Sequence, residues 1–147
     1  MFQTSYGLKY YFYFIESSYH LPDIPEFKNQ IYSFSFELIG GDKMGKIPTD
    51  IRVEITIIQA LRDFFRNHQN VLLFVCDSVD GKHKARNRTF NRWYSKHKTS
   101  DFIKLDGYVF DGYNEIFNSI IFKKNHPLKE RLIDEFIQTN KEYNSKD

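Results

Sequence analysis

Val71-Leu72-Leu73-Phe74-Val75-Cys76-Asp77 is the stretch on which the fold turns. Up to Asp77 the run has no polar side chain to offer water, and a short, wholly apolar run of this kind reads as a strand covered on both faces. It predicts a strand over 71–76 in the middle of a sheet, with helices on the sheet's faces. The run then stops at Asp77-Ser78-Val79-Asp80-Gly81, and one of the most basic stretches of the chain follows: Lys82-His83-Lys84-Ala85-Arg86-Asn87-Arg88. The junction reads as an active site, a docking surface, or a capped strand end.

Upstream, Val53, Ile57, Leu61, Phe64 and Phe65 fall on one helical stripe, which predicts a helix over Thr56 to Asn67. Ile51, Val53, Ile55 and Ile57 also alternate like a strand, so the start of that helix stays open, although Pro48-Thr49-Asp50 offers cap residues. Ile31 to Leu38 alternates with period two and reads as a strand with one wet face, ended by Gly40-Gly41-Asp42. Gly7 to Glu16 is dense in strand-favouring aromatics, and Ser5-Tyr6-Gly7 would turn a short strand at Phe2 to Thr4 into it.

Downstream, a helix is expected from Lys82 to His97 and a strand from Ser100 to Asp111, with Asp106-Gly107 as a turn or a bulge. Glu115 to Lys123 is its expected antiparallel partner across Asp111-Gly112-Tyr113-Asn114. Pro127 is placed as a first helical residue, and Leu128, Leu132, Ile133, Phe136 and Ile137 make a closing amphipathic helix. The order β-β-β-α-β-α-β-β-α implies an α+β fold, a mixed and mainly antiparallel sheet with three helices, in a single domain spanning 1–147.

Composition narrows the function classes. A chain of 147 residues buries most of its apolar surface without a metal or disulfide, and 15 Phe with 10 Tyr make the core aromatic. The single Cys excludes an internal disulfide and a cysteine-based zinc cage. No apolar run approaches the roughly 20 residues of a membrane span, and the first residues lack the pattern of a signal peptide, so the expected setting is cytoplasmic. A net charge of +2 is close to balance, so attraction to nucleic acid or an acidic partner has to come from local clustering.

That clustering lies just past the junction. Between Gly81 and Ser100 there is no acid, while Lys82, Lys84, Arg86, Arg88, Arg92, Lys96 and Lys98 make up a third of the chain's 21 Lys and Arg. On a helix Lys84, Arg88, Arg92 and Lys96 form one i, i+4 stripe of roughly 18 Å, long enough to track several phosphates. Asn87 and Asn91 lie beside it; Phe90, Trp93, Tyr94 and His97 gather on the opposite side. Arg86 projects towards the apolar side and needs a carboxylate partner, for which Asp77 and Asp80 are nearest in sequence. Lys82, His83 and Lys84 in a first turn oppose the helix dipole by about 0.3–1 kcal/mol each, which Asp80 as N-cap or a bound anion would relieve.

Other chemistry finds less support. Cys76 lacks the phosphate-cradling loop and arginine spacing of a cysteine phosphatase, and reads as a small buried hydrophobe. The aspartates of Asp77-Ser78-Val79-Asp80-Gly81 are wrongly spaced for a calcium loop. His20, His68, His83, His97 and His126 show no metal-binding pattern, and no cofactor motif is present.

Cys76-Asp77-x-x-Asp80-Gly81 followed by Asn87-Arg88-x-Phe90-Asn91-Arg92-Trp93-Tyr94 resembles a family of small uncharacterised bacterial proteins, mostly from Bacteroidetes, classed as a domain of unknown function. An aromatic strand after Gly7, the Ile57, Leu61, Phe64-Phe65 helix and a last helix after Asn125-His126-Pro127 extend the resemblance over most of the chain. It implies a bacterial cytoplasmic protein and carries no known activity or ligand. The expected function is a non-enzymatic binding module that contacts nucleic acid or an acidic protein through Asp77, Asp80, Lys84, Arg86, Arg88, Arg92 and Lys96. The alternatives are a small metal-dependent hydrolase or nuclease using Asp77 and Asp80, and a homodimer formed through sheet edges or Tyr10, Tyr11 and Tyr13.

Overall fold

The computed structural model describes residues 2–3, 9–16, 30–39, 51–78 and 81–144, and of these 2–3, 9–11, 36–39 and 77 by their backbone alone. The elements follow the expected order: β1 (Phe2–Gln3), β2 (Lys9–Glu16), β3 (Ile31–Ile39), α1 (Ile51–Phe64), β4 (Val71–Asp77), α2 (His83–His97), β5 (Phe102–Phe110), β6 (Glu115–Lys123) and α3 (Lys129–Asn144). The fold is α+β. Its sheet runs β1-β2-β3-β4-β6-β5, and only the β3–β4 pair, joined through α1, is parallel.

The 71–77 stretch occupies the interior of that sheet, between β3 and β6. Its alternate residues serve two cores. Leu72, Phe74 and Cys76 point to the side of α1 and α2, where they pack with Phe34, Ile57, Phe90 and Trp93. Val71 and Leu73 point to the side of α3, towards Ile31, Ile120, Leu132 and Phe136. Phe74 stacks on Phe90 at 3.9 Å between ring centroids, so one aromatic pair fixes α2 against the central strand. Helix α3 leaves part of its face of the sheet open, and Tyr13, Ile15 and Val75 are exposed.

The structure decides the ambiguous segments. Ile51 to Ile57 is helical: Val53 and Ile57 are buried while Ile51 and Ile55 are exposed, so the two-residue alternation is incidental to a helical stripe. The helix stops at Phe64 instead of running to Asn67. Asn70 Nδ2 donates to the Phe64 carbonyl at 2.9 Å, and the Val71 N–H donates to the Gln30 carbonyl at 2.8 Å as the chain enters the sheet. The proposed cap residues Pro48-Thr49-Asp50 lie outside the described residues.

Asp106-Gly107 is neither a turn nor a bulge, because β5 pairs with β6 in unbroken register through Asp106↔Ser119 and Gly107↔Asn118. Glycine is required there by close approach: a Cβ at 107 would collide with the side-chain oxygens of Asn118 and Asn140. Those asparagines exchange amide hydrogen bonds of 2.9 and 3.1 Å, tying α3 to the hairpin. One turn later Asn144 donates to the Tyr108 carbonyl at 2.8 Å and accepts from the Phe110 N–H at 3.2 Å, occupying part of the outer edge of β5. Helix α3 begins at Lys129 and not at Pro127. Buried His126 accepts the Leu128 N–H on Nδ1 and donates from Nε2 to the Gln69 carbonyl, making a turn ahead of the helix. Burial holds this imidazole below the ordinary histidine pKa, against the Gln69 hydrogen bond.

Candidate functional site

Helix α2 separates its residues by chemistry as the spacing requires. Phe90 and Trp93 are buried and Tyr94 is half-buried, whereas Lys84, Arg88, Arg92 and Lys96 are all exposed. Asn87 and Asn91 flank the stripe, half-buried. The cations nevertheless differ in their surroundings, because each end of the helix meets a glutamate from elsewhere in the chain.

At the N-terminal end, the position before the helix is Lys82, which makes no side-chain cap bond, and the first turn holds no acid. Among the described side chains, the negative charge comes from β6. His83 Nε2 donates to Glu115 Oε1 at 2.7 Å, Tyr108 Oη donates to Glu115 Oε2 at 2.7 Å, and Lys84 Nζ lies 3.8 Å from Oε1. The hydrogen bonds from Tyr108 and His83, aided by the Lys84 charge, hold the Glu115 carboxyl below the usual range against the effect of burial. His83 is itself buried, stacked on Phe117 at 5.7 Å, and its Nδ1 has no hydrogen-bond partner among the described residues. Ser78 Oγ accepts the Glu115 N–H at 3.1 Å and donates to Asn114 Oδ1 at 3.2 Å, which locks the end of β4 to the start of β6.

This corrects the expectation that Asp80 caps the helix. The cap position is Lys82, and among the described side chains the carboxylate at this end is Glu115. Asp77 closes β4, but its side chain and the whole of Asp80 lie outside the described residues. Arg86 is half-buried, at the border of the apolar face as its helical position implies.

At the C-terminal end, Lys96 Nζ and His97 Nε2 donate to the same oxygen of Glu54, at 2.8 and 2.7 Å. Glu54 is buried in the first turn of α1. Burial raises its carboxyl pKa, but the hydrogen bonds and charges of Lys96 and His97 outweigh that, and the group titrates below the usual range. The arrangement also suits both dipoles, with an acid in the first turn of one helix and cations in the last turn of the other.

The middle of the stripe is different. Arg88 and Arg92 form neither ion pairs nor side-chain hydrogen bonds with any described residue. They lie one helical turn apart, about 6 Å along the axis, on an exposed face. Cys76 is buried in the core, in keeping with a packing role. Among the described residues no three His, Cys, Asp or Glu side chains converge as a metal ion requires, and no helix is long and apolar enough to cross a membrane.

A family model described as a family of unknown function, DUF6169, matches residues 49–138, more than half of the chain. The chain belongs to DUF6169. No curated protein and no solved structure matches it. The DUF6169 span opens just before α1 and closes within α3, so both glutamates, all of α2 and the β5–β6 hairpin lie inside it, whereas β1 to β3 precede it.

Neither Glu54 nor Glu115 figures among the site residues expected from sequence. Glu54 had a readable signal: it stands four residues before Ile58 and seven before Leu61, a carboxylate on an apolar stripe. Glu115 had none, since it opens a strand and meets His83 only through the sheet.

Proposed function

We propose that this DUF6169 protein is a non-enzymatic binding module that holds a nucleic acid backbone on the exposed face of α2. The observation that carries the reading is the pair Arg88 and Arg92, exposed, one turn apart and unpaired among the described residues. Guanidinium groups presented this way are suited to bidentate contact with phosphate oxygens. Lys84 and Lys96 extend the face to roughly 18 Å, but their charges are shared with Glu115 and Glu54, so the two arginines supply most of the attraction. Contacts to phosphate carry no sequence information directly, so the expected binding is sequence-independent.

The test is binding of labelled mixed-sequence DNA and RNA over a salt series, with the Arg88→Ala/Arg92→Ala variant alongside. Affinity that falls linearly in log–log form, with a slope shallower by about two in the variant, supports the reading. Absence of binding at low salt overturns it and turns the search to acidic protein partners. Within the same proposal the junction residues Asp77, Asp80 and Arg86 serve the fold and take no part in chemistry. Asp77→Asn is accordingly expected to lower the melting temperature while leaving the salt slope unchanged.

A further inference from the structure

Behind α2, on the side away from the arginines, a cavity of about 130 Å3 opens between α1, the C-terminal half of α2 and the first residue of β5. Its floor and walls are largely hydrocarbon: Ile121, Phe65, Phe90 and Trp93 are buried there, with Leu61, Phe102 and Tyr94 half-buried around them. An apolar cavity of roughly 150 Å3 is large enough to take a benzene ring. The lining residues at the mouth are of another kind. Arg62, Lys98 and Thr99 are exposed, and no acidic residue lines any part of the cavity.

The two cations at this mouth have no ion pair or side-chain hydrogen bond with any described residue. The nearby His97 is already committed to Glu54, its Nε2 hydrogen-bonded to a carboxylate that lies outside the cavity lining. A nucleobase is a poor occupant, since most of its ring donors and acceptors would be buried against hydrocarbon, the polar lining groups being few and set towards the rim. A hydrocarbon ring loses nothing there, and an anionic head on a short arm would meet Arg62 and Lys98 at the surface.

We infer that this cavity is a binding site for a small carboxylate with a single-ring hydrocarbon tail, the ring resting against Trp93 and Phe65 and the carboxylate held between Arg62 and Lys98. Both cations also offset the carbonyl ends of α1 and α2. Their contribution to ligand binding is therefore isolated by comparing a charged ligand with a neutral one of the same shape.

Trp93 is the only tryptophan of the chain and lines the cavity, so its emission reports occupancy directly. The experiment titrates phenylacetate and its neutral isostere phenylacetamide into the full chain, with isothermal calorimetry as a second reading. Saturable change with phenylacetate, roughly tenfold tighter than with phenylacetamide, is the expected result. Arg62→Gln/Lys98→Gln, which changes only exposed side chains, is expected to bring the two ligands to the same weak affinity. Leu61→Phe, which fills the cavity from its wall, is expected to abolish both. Equal binding of the two ligands by the unaltered protein, undiminished binding by Leu61→Phe, or no saturable response at millimolar ligand overturns the inference.

Discussion

The two ends of α2 solve opposite electrostatic problems with the same residue type. At the C-terminal end Lys96 and His97 lie where the helix dipole favours cations, and their glutamate comes from the first turn of α1, where the dipole favours an acid. At the N-terminal end His83 and Lys84 lie where the dipole opposes them, and Glu115 of β6 counters a charge that the helix itself disfavours. Glu54 is also more enclosed, with a side chain 10% exposed against 26% for Glu115. The first anchor contributes stability of its own, whereas the second mainly offsets a cost, which leaves the two arginines between them available to a partner.

The largest effect is expected from removing both anchors. Glu54→Gln/Glu115→Gln should lower the unfolding free energy by the sum of the single changes to within about 0.5 kcal/mol, because the sites lie roughly 20 Å apart along α2. A loss well above that sum in a urea titration would mean that the helix transmits strain between its ends and that the anchors are not independent.

Glu54→Gln alone should account for most of it, about 2 kcal/mol, the scale of charge-assisted hydrogen bonds to a buried carboxylate discounted for the exposure of Lys96. It should also flatten the acid limb of the stability curve. A carboxyl titrating lower in the folded than in the unfolded chain contributes fully above the ordinary carboxylate range, about pH 4.3, and loses its contribution as pH falls through the folded value. Urea midpoints at a series of pH values therefore fall on acidification in the unaltered protein, and more gently in the variant.

Glu115→Gln should lower the melting temperature by less than Glu54→Gln, since an amide oxygen still accepts from His83 or Tyr108 and the lost charge is more exposed. A larger fall than for Glu54→Gln would reverse the ranking of the two ends. The smallest effect on stability belongs to the middle: Arg88→Ala/Arg92→Ala should leave the unfolding free energy within about 0.5 kcal/mol per site, as is usual at exposed positions away from structural contacts. A marked loss of stability there would show that the arginines serve the fold and would weaken the binding proposal.

Much of this architecture was legible before any coordinates. The run from Val71 to Asp77 had no polar residue for a wet face, and it is an interior strand feeding two cores. The basic stripe of α2 and its aromatic underside follow from 3.6-residue spacing alone, which is why all four stripe cations are exposed and Phe90 and Trp93 are buried. Local pattern failed where two periods coincided, as from Ile51 to Ile57, and where a glycine served a distant side chain, as Gly107 serves Asn140.

What the sequence by itself determined is the order of elements, their apolar faces and the placing of seven cations on an acid-free segment, because these depend on residues within one or two turns of each other. Only the tertiary structure decided which cations remain available. Ion pairs depend on separations of a few ångström, and the chain brings Glu115 to His83 across 32 residues and Glu54 to Lys96 across 42, distances over which no local spacing carries information.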